Sequence, residues 1–277
     1  MPTSAAATVD LRTESLGSVF DRVERSLGVK LDRSTEVRKR RSIGARTDRG
    51  TWVRVERRPR ERIGGQGWNG VECAATLRGI AMPQWLAGAA WTDPEDAAMW
   101  RADETELISA PPVKPADRAE LSDTWWATLT ASLDALAEQT TTRVATPDTD
   151  TISRSVVTEV IQKAFPEATI DVSLDEWATA HADLSWANLT TPECYILDWE
   201  DWGMAPRGLD AARLLVSSLD VPEVAERVRH ERRDDLGSRT GKLMSLFYCS
   251  KLVPYVDEGA PVRAEALRLL GELEPLR

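Results

Sequence analysis

The spacing of apolar residues changes at one point in this chain, and that change limits the folds open to it. Before the proline-marked stretch Ala110-Pro111-Pro112-Val113-Lys114-Pro115, apolar and polar residues alternate as in half-buried strands. After it, apolar side chains recur every three or four residues, as on the buried stripe of a helix. At 277 residues the chain is long enough for two units with separate cores. The break is therefore read as a boundary. Residues 1–109 are expected to form a small antiparallel sheet with one or more helices, and residues 110–277 a mostly helical unit, an α+β class overall.

Within the first unit, residues 14–31 hold a short amphipathic segment with Leu16, Val19, Phe20, Val23 and Leu27. A hairpin is expected from residues 42–46 and 51–56 around the turn Thr47-Asp48-Arg49-Gly50. In its second strand Trp52, Arg54 and Glu56 face one way, and Thr51, Val53 and Val55 the other. A glycine-rich stretch over 63–70 precedes a helix expected over 71–80. Residues 82–92 and 97–108 read as two strands joined by the turn Asp93-Pro94-Glu95-Asp96. Past the break, Leu121, Trp125, Trp126, Leu129, Leu133 and Leu136 mark one helix, and Ile152, Val156, Val157, Val160, Ile161 and Phe165 a second. A strand-rich island covers 177–198. Helical spacing resumes at Leu209 and includes Leu243, Leu246 and Phe247, then Ala264, Leu267 and Leu270.

Composition removes several function classes. Apolar residues make up 42% and charged residues 29%, as in ordinary globular chains. No apolar run is long enough for a transmembrane helix, and the acidic start of the chain has no secretory signal core, so a cytosolic protein without membrane contact is expected. Cys73, Cys194 and Cys249 are too few and too far apart for a disulfide framework or a zinc site. His181 and His230 are the only histidines, which excludes most histidine-based metal chemistry. Most of the 11 tryptophans are expected in the core. Net charge is −10, yet residues 36–62 carry eleven Lys/Arg against four acids. One basic patch on an acidic protein argues against general nucleic-acid binding. It suits a phosphate-bearing ligand or an acidic partner, and a solvated strand surface is the plainer alternative.

The chemistry-bearing residues lie in the island. Residues 188–190 and 194–198 are expected to pair as short strands around Thr191-Pro192-Glu193, placing Asn188 opposite or nearly opposite Asp198. An amide oxygen and a carboxylate so placed can share one hard cation. Magnesium takes few protein ligands and completes its shell with water and phosphate oxygens. Asp183, on the loop entering the hairpin, is placed to accept a proton from a hydroxyl.

The run His181-Ala182-Asp183, then Asn188, then Ile196-Leu197-Asp198-Trp199-Glu200, resembles the catalytic segment of the aminoglycoside phosphotransferase/choline kinase-like family. Pro206-Arg207-Gly208-Leu209-Asp210 is similar to the tail of that segment. The resemblance implies a bilobal protein-kinase-like fold that binds ATP and magnesium and transfers the γ-phosphoryl group to a hydroxyl. It implies Asp183 as the base, His181 ordering the loop, Asn188 and Asp198 as magnesium ligands, and Asp210 holding the loop backbone. It places the nucleotide in a cleft, with its base against residues 103–108. It also implies a phosphate-gripping strand cation paired with a helix glutamate. On the strand Thr51–Glu56 the matching position is Arg54, with Glu72 its expected partner, and a neighbour such as Lys30 or Lys39 is the alternative cation. The chain departs from the family pattern at Ala182, where glycine is common, and at Ser185-Trp186-Ala187, where His-Pro-Gly is common.

Gly65-Gln66-Gly67-Trp68-Asn69-Gly70 formally matches G-x-G-x-x-G, but it follows a charged strand and comes after Arg54, so it reads as a connector. No phosphate-binding G-x-x-x-x-G-K-[ST] motif and no G-x-S-x-G elbow are present. The acceptor stays open between a hydroxylated small molecule and Ser/Thr of a precursor peptide in natural-product biosynthesis. For the peptide reading, the basic stretch is a docking site for an acidic leader or a protein partner. A pseudokinase that holds a partner without phosphoryl transfer is the second class.

Overall fold

The computed structural model describes residues 10–93, 97–147 and 150–274. They divide into two units, one of the described residues through Thr76 with Pro83–Ser109, the other of Leu77–Met82 with the chain from Ala110 onward.

The first unit is a five-stranded antiparallel sheet. Strands β1 (Leu31–Arg38), β2 (Ser42–Thr47), β3 (Thr51–Pro59), β4 (Trp85–Thr92) and β5 (Ala98–Glu106) lie in the order β1-β2-β3-β5-β4. The β2–β3 hairpin forms as its sequence requires. Gly50 closes the turn by donating its N–H to the carbonyl of Thr47 at 3.1 Å, with a left-handed φ of 74°. Alternation then decides the two faces. Ile43, Ala45, Val53, Val55, Trp100 and Ala102 pack in one core with Phe20 and Val23 of helix α1 (Gly17–Leu27). The opposite face is polar and charged. There the Trp52 indole lies so close over Gly44 that a Cβ at that position would collide with it. The residues of the β4–β5 turn at 94–96 lie outside the described residues. Asp93 donates to the carbonyl of Ala98 at 3.0 Å beside them.

The helix expected over 71–80 is shorter, as α2 (Gly70–Ala74). Gly79 adopts a left-handed φ of 76°, which a continuing helix does not allow. The backbone of Ala81 instead donates to Ser132 Oγ at 3.0 Å and accepts from the Ile196 N–H at 2.8 Å, within the second unit.

The second unit contains α3 (Asp123–Ala137), α4 (Arg154–Ala164), β6 (Trp177–Ala180), β7 (Gly203–Pro206), α5 (Leu209–Val216), α6 (Pro222–Glu231), α7 (Arg233–Gly237), α8 (Arg239–Leu252) and α9 (Pro261–Leu273). Ser122 and Ser153 cap α3 and α4 by accepting the backbone N–H of Trp125 and Val156. Trp125, Trp126, Leu129, Leu133 and Leu136 are buried, as their spacing predicts. Helix α8 is buried through Leu243, Met244, Leu246, Phe247 and Cys249. In α9 the buried face is Val262, Ala266, Leu269 and Leu273, while Leu267 is 56% exposed. The stripe of Ala264, Leu267 and Leu270 therefore does not face inward. The inward quadrant instead takes Glu265, which Arg268 and Arg229 neutralise. Among the described residues, no helix is long and apolar enough to cross a membrane.

Candidate functional site

Residues 181–188 leave strand β6 and turn sharply, and three sets of contacts fix their path. First, the buried Asp210 at the start of α5 accepts the backbone N–H of His181 at 2.7 Å and that of Ala182 at 2.9 Å. Ala182 has a left-handed φ of 71°, a conformation that costs a non-glycine residue about 1–2 kcal/mol. The usual glycine is therefore replaced by a strained alanine, and Asp210 holds it in place. Burial raises the Asp210 carboxyl above its usual range, against the opposing pull of His181, Ala182 and Arg232.

Second, the His181 ring crosses to the other arm of the island. Its Nε2 donates to the carbonyl of Leu197 at 2.9 Å, and its Nδ1 accepts the N–H of Asp183 at 3.3 Å, which places the proton on Nε2. The ring packs edge-on against Trp199 at 4.7 Å, and Trp199 in turn donates to the carbonyl of Ile196. These contacts tie the His181 ring to both arms of the island.

Third, Trp186 turns inward. It stacks with Trp125 at 6.1 Å, meets Trp126 edge-on at 6.0 Å, and donates to Ser218 Oγ at 3.1 Å. Aromatic pairs contribute about 0.5–1.5 kcal/mol each beyond area burial. The departure at Ser185-Trp186-Ala187 thus anchors the loop to α3.

The island differs from a paired hairpin. Asn188 ends a tight 3-10 turn, Trp186–Asn188, and only a single bridge joins Leu189 to Ile196. The Asn188 carbonyl accepts the N–H of Leu197 at 2.8 Å, so Asn188 lies opposite Leu197, one residue from Asp198. The extended partner of β6 is β7. Its sequence, Gly203-Met204-Ala205-Pro206, carries no alternating apolar run that would mark it as a strand. Asp198 is exposed, with a left-handed φ of 68° that carries it out of the bridge.

Around Asp183 the polar contacts converge. Asn188 Nδ2 donates to the Asp183 carbonyl at 2.9 Å and to its Oδ2 at 3.1 Å. That commits the amide nitrogen to Asp183. Asn188 and Asp198 supply hard oxygen donors on adjacent rungs, a set that fits magnesium when phosphate and water complete its shell. Among the described residues, no group of three His, Cys, Asp or Glu side chains is placed to hold a metal by itself. The contact that sequence reasoning missed is Arg213. From α5 its Nη2 lies 2.6 Å from Asp183 Oδ1, and its guanidinium lies over the Tyr248 ring. Arg213 is three residues past Asp210, one helical turn along α5, and that spacing is the only signal the sequence offers. Burial pushes the thiols of Cys194 and Cys249 up to about 12, so neither is a thiolate nucleophile at neutral pH.

In the first unit the expected Arg54–Glu72 pair is replaced. Glu72 on α2 pairs with Arg101 of β5, whose Nη2 lies 2.9 Å from Glu72 Oε2. Arg101 also grips Asp103 with two bonds of 2.7 Å. Arg101 stands directly across from Glu56, and Arg54 across from Asp103, so all four share the charged face of the sheet. Arg54 lies 3.8 Å from Glu56. The register explains the exchange, because β5 rather than β3 brings its cation to α2. Despite burial, which alone would lower it, the charges of Asp103 and Glu72 raise the Arg101 pKa further, so it stays charged.

No protein-family model matches this sequence, and no curated protein matches it. Solved structures do match its fold. Amicoumacin kinase hAmiN, in complex with AMP-PNP, Ca2+ and Ami, aligns with a TM-score of 0.57 at 14% identity, covering 91% of this chain and 92% of that one. APH(2'')-IIa in a ternary complex with streptomycin and ATP aligns at 0.57 and 12% identity, covering 92% and 97%. The GDP complex of aminoglycoside 2'-phosphotransferase-IIIa aligns at 0.55 and 14% identity, covering 94% and 98%. The chain therefore has the α+β, protein-kinase-like fold of these phosphotransferases.

Proposed function

We propose that this chain is a magnesium-dependent phosphotransferase that moves the γ-phosphoryl group of ATP to a hydroxyl. The observation that carries the reading is the ordering of Asp183. His181, Asn188 and, through the loop backbone, Asp210 all converge on it, and the Asn188 carbonyl ties it to the arm bearing Asp198. The Asp183 carboxylate itself is held by the Asn188 amide and the Arg213 guanidinium, while the backbone contacts fix the loop that carries it. Structural neighbours solved with AMP-PNP or ATP support the same reading.

In this mechanism Asp183 accepts a hydrogen bond from the acceptor hydroxyl and directs its oxygen at the γ-phosphorus. The new oxygen–phosphorus bond forms as the bond to the bridging oxygen breaks and ADP leaves, and the hydroxyl proton passes to Asp183. Asn188 and Asp198 hold magnesium, which when bound neutralises phosphate charge. Catalysis is mainly positioning and charge neutralisation. Of the first unit, Arg54 is the cation this reading assigns to phosphate, and Glu72 pairs with Arg101.

The test is a pair of variants. Asp183→Asn is expected to lose transfer while keeping nucleotide binding, and unchanged turnover would remove Asp183 from its role. Asp198→Ala is expected to lose the magnesium-dependent part of ATP affinity. A hydroxylated small molecule and a Ser/Thr of a precursor peptide both satisfy this chemistry, and mass-shift screening across both distinguishes them. A second reading, a pseudokinase that binds a partner, draws on Arg101, whose charge is already met by two carboxylates. It predicts a thermal shift with ATP that does not depend on magnesium, or none.

A further inference from the structure

Resting on the phosphotransferase reading, we infer that Arg213 is a positioning residue: it fixes the rotation of the Asp183 carboxylate, and with it the line along which the acceptor oxygen is aimed. Asp210 and His181 hold the loop, but they hold its backbone N–H groups and leave the Asp183 side chain to turn about its own bonds. Two side-chain donors remove that freedom. Arg213 Nη2 donates to Oδ1 at 2.6 Å and Asn188 Nδ2 to Oδ2 at 3.1 Å, so each oxygen is bonded from a different part of the chain. A carboxylate offers about four lone-pair sites, so two stay open to an incoming hydroxyl.

The tether starts from a fixed point. Arg213 stands about one helical turn beyond Asp210 on α5, so a single helix holds both the loop backbone and the carboxylate it carries. Its guanidinium lies over the ring of Tyr248, a buried residue of α8, at 5.7 Å. Asn188 is also assigned to magnesium in the proposed mechanism, so Arg213 is the hold on Asp183 that does not depend on the metal. As a stabilising pair it is weak: the two side chains are 24% and 34% exposed, and water screens an ion pair so placed. As an aiming device it suits the reaction. Phosphoryl transfer depends on orienting the nucleophile more than on a strong base, and a misplacement of about 1 Å costs about a hundredfold in rate.

Water serves as the acceptor in the test. Phosphate release from ATP and magnesium by the full chain is measured, with ATP affinity by calorimetry and the urea unfolding midpoint on the same samples. Arg213→Gln is expected to lower turnover by about tenfold or more, with ATP affinity kept within about twofold and the midpoint little moved. Arg213→Lys keeps the charge but not the planar fork, and its turnover is expected to fall between the two. In Arg213→Ala, millimolar guanidinium is expected to restore part of the turnover. Unchanged turnover in Arg213→Gln overturns the inference. So does an ATP affinity that falls as far as turnover, which would place Arg213 on the nucleotide. A loss that neither lysine nor guanidinium relieves overturns it too, because the residue would then be structural. Wild-type protein that binds ATP with magnesium but releases no phosphate refutes the phosphotransferase reading itself. Wild-type release that Arg213→Gln leaves intact refutes only this inference.

Discussion

Replacing Asp210 with alanine gives the sharpest measurement of how the loop is held. The carboxylate accepts two backbone N–H groups, from His181 and Ala182, and both residues are fully buried. Each buried donor left without a partner costs about 1–3 kcal/mol, so the loss is about 2–6 kcal/mol at first count. Relaxation of Ala182 out of its left-handed conformation returns about 1–2 kcal/mol. The expected net loss is about 1–4 kcal/mol, and Asp210→Asn, which keeps one acceptor oxygen, is expected to lose about half of that. Urea unfolding followed by tryptophan fluorescence measures both. The effect has a pH signature. Burial raises the folded pKa of Asp210 above its unfolded value of about 3.9, so the native state binds that proton more tightly. Its contribution is fully present below the unfolded pKa and declines as pH rises through the folded one. The gap between wild type and Asp210→Ala therefore narrows with rising pH. A midpoint unmoved within about 0.5 kcal/mol, or a gap that widens with pH, would refute the account of the loop.

The same loop predicts that Ala182→Gly, which removes the penalty of a left-handed alanine against a smaller entropic loss, raises stability by roughly 0.5–1 kcal/mol in the same urea assay. Arg101→Gln leaves Asp103 without its two short hydrogen bonds and frees Glu72, so it is expected to destabilise the first unit by about 2–4 kcal/mol. Arg54→Gln should weaken ATP binding more than Arg101→Gln does, as measured by calorimetry. In α9, burial alone would raise Glu265, but its hydrogen bonds with Arg268 and the charges of Arg229 and Arg268 outweigh it and hold the carboxyl below its usual range. A depressed folded pKa contributes stability above the unfolded value of about 4.3 that is lost as pH falls through the folded one. Glu265→Gln should therefore flatten the acid limb of the unfolding curve below about pH 4.5.

What was legible in the chain follows from how local the cause is. The β2–β3 hairpin is a matter of alternation and one glycine turn, and helix α3 of a stripe and a serine cap; both forces act within a few residues. Seven of the 11 tryptophans are buried, as their area alone leads one to expect. The misses involve distant partners. Glu72 meets Arg101 instead of Arg54 because pairing between β3 and β5 decides which cation stands beside α2, and that pairing spans more than forty residues of chain. Strand β7 has no alternating apolar run because β6 and the 143–145 backbone, pressed against Gly203, define it from outside. In α9 the inward face follows Glu265 and its arginines rather than the most apolar positions.

The departures from the family pattern are where the fold and the site bear on each other most directly. A loop with glycine after its histidine and His-Pro-Gly before its asparagine needs little from its surroundings to turn. This loop has an alanine in the left-handed region and a large indole at Trp186, and it takes its shape from outside instead: Asp210 beneath, Trp125 and Trp126 beside, Trp199 across. A loop held by its neighbours transmits their changes to Asp183. Trp186→Gly, which restores local freedom and removes two aromatic contacts, is therefore expected to lower turnover more than it lowers nucleotide affinity, because what it disturbs is the aim of Asp183 and not the grip on phosphate. Equal losses in the two would mean that the indoles only fill the core.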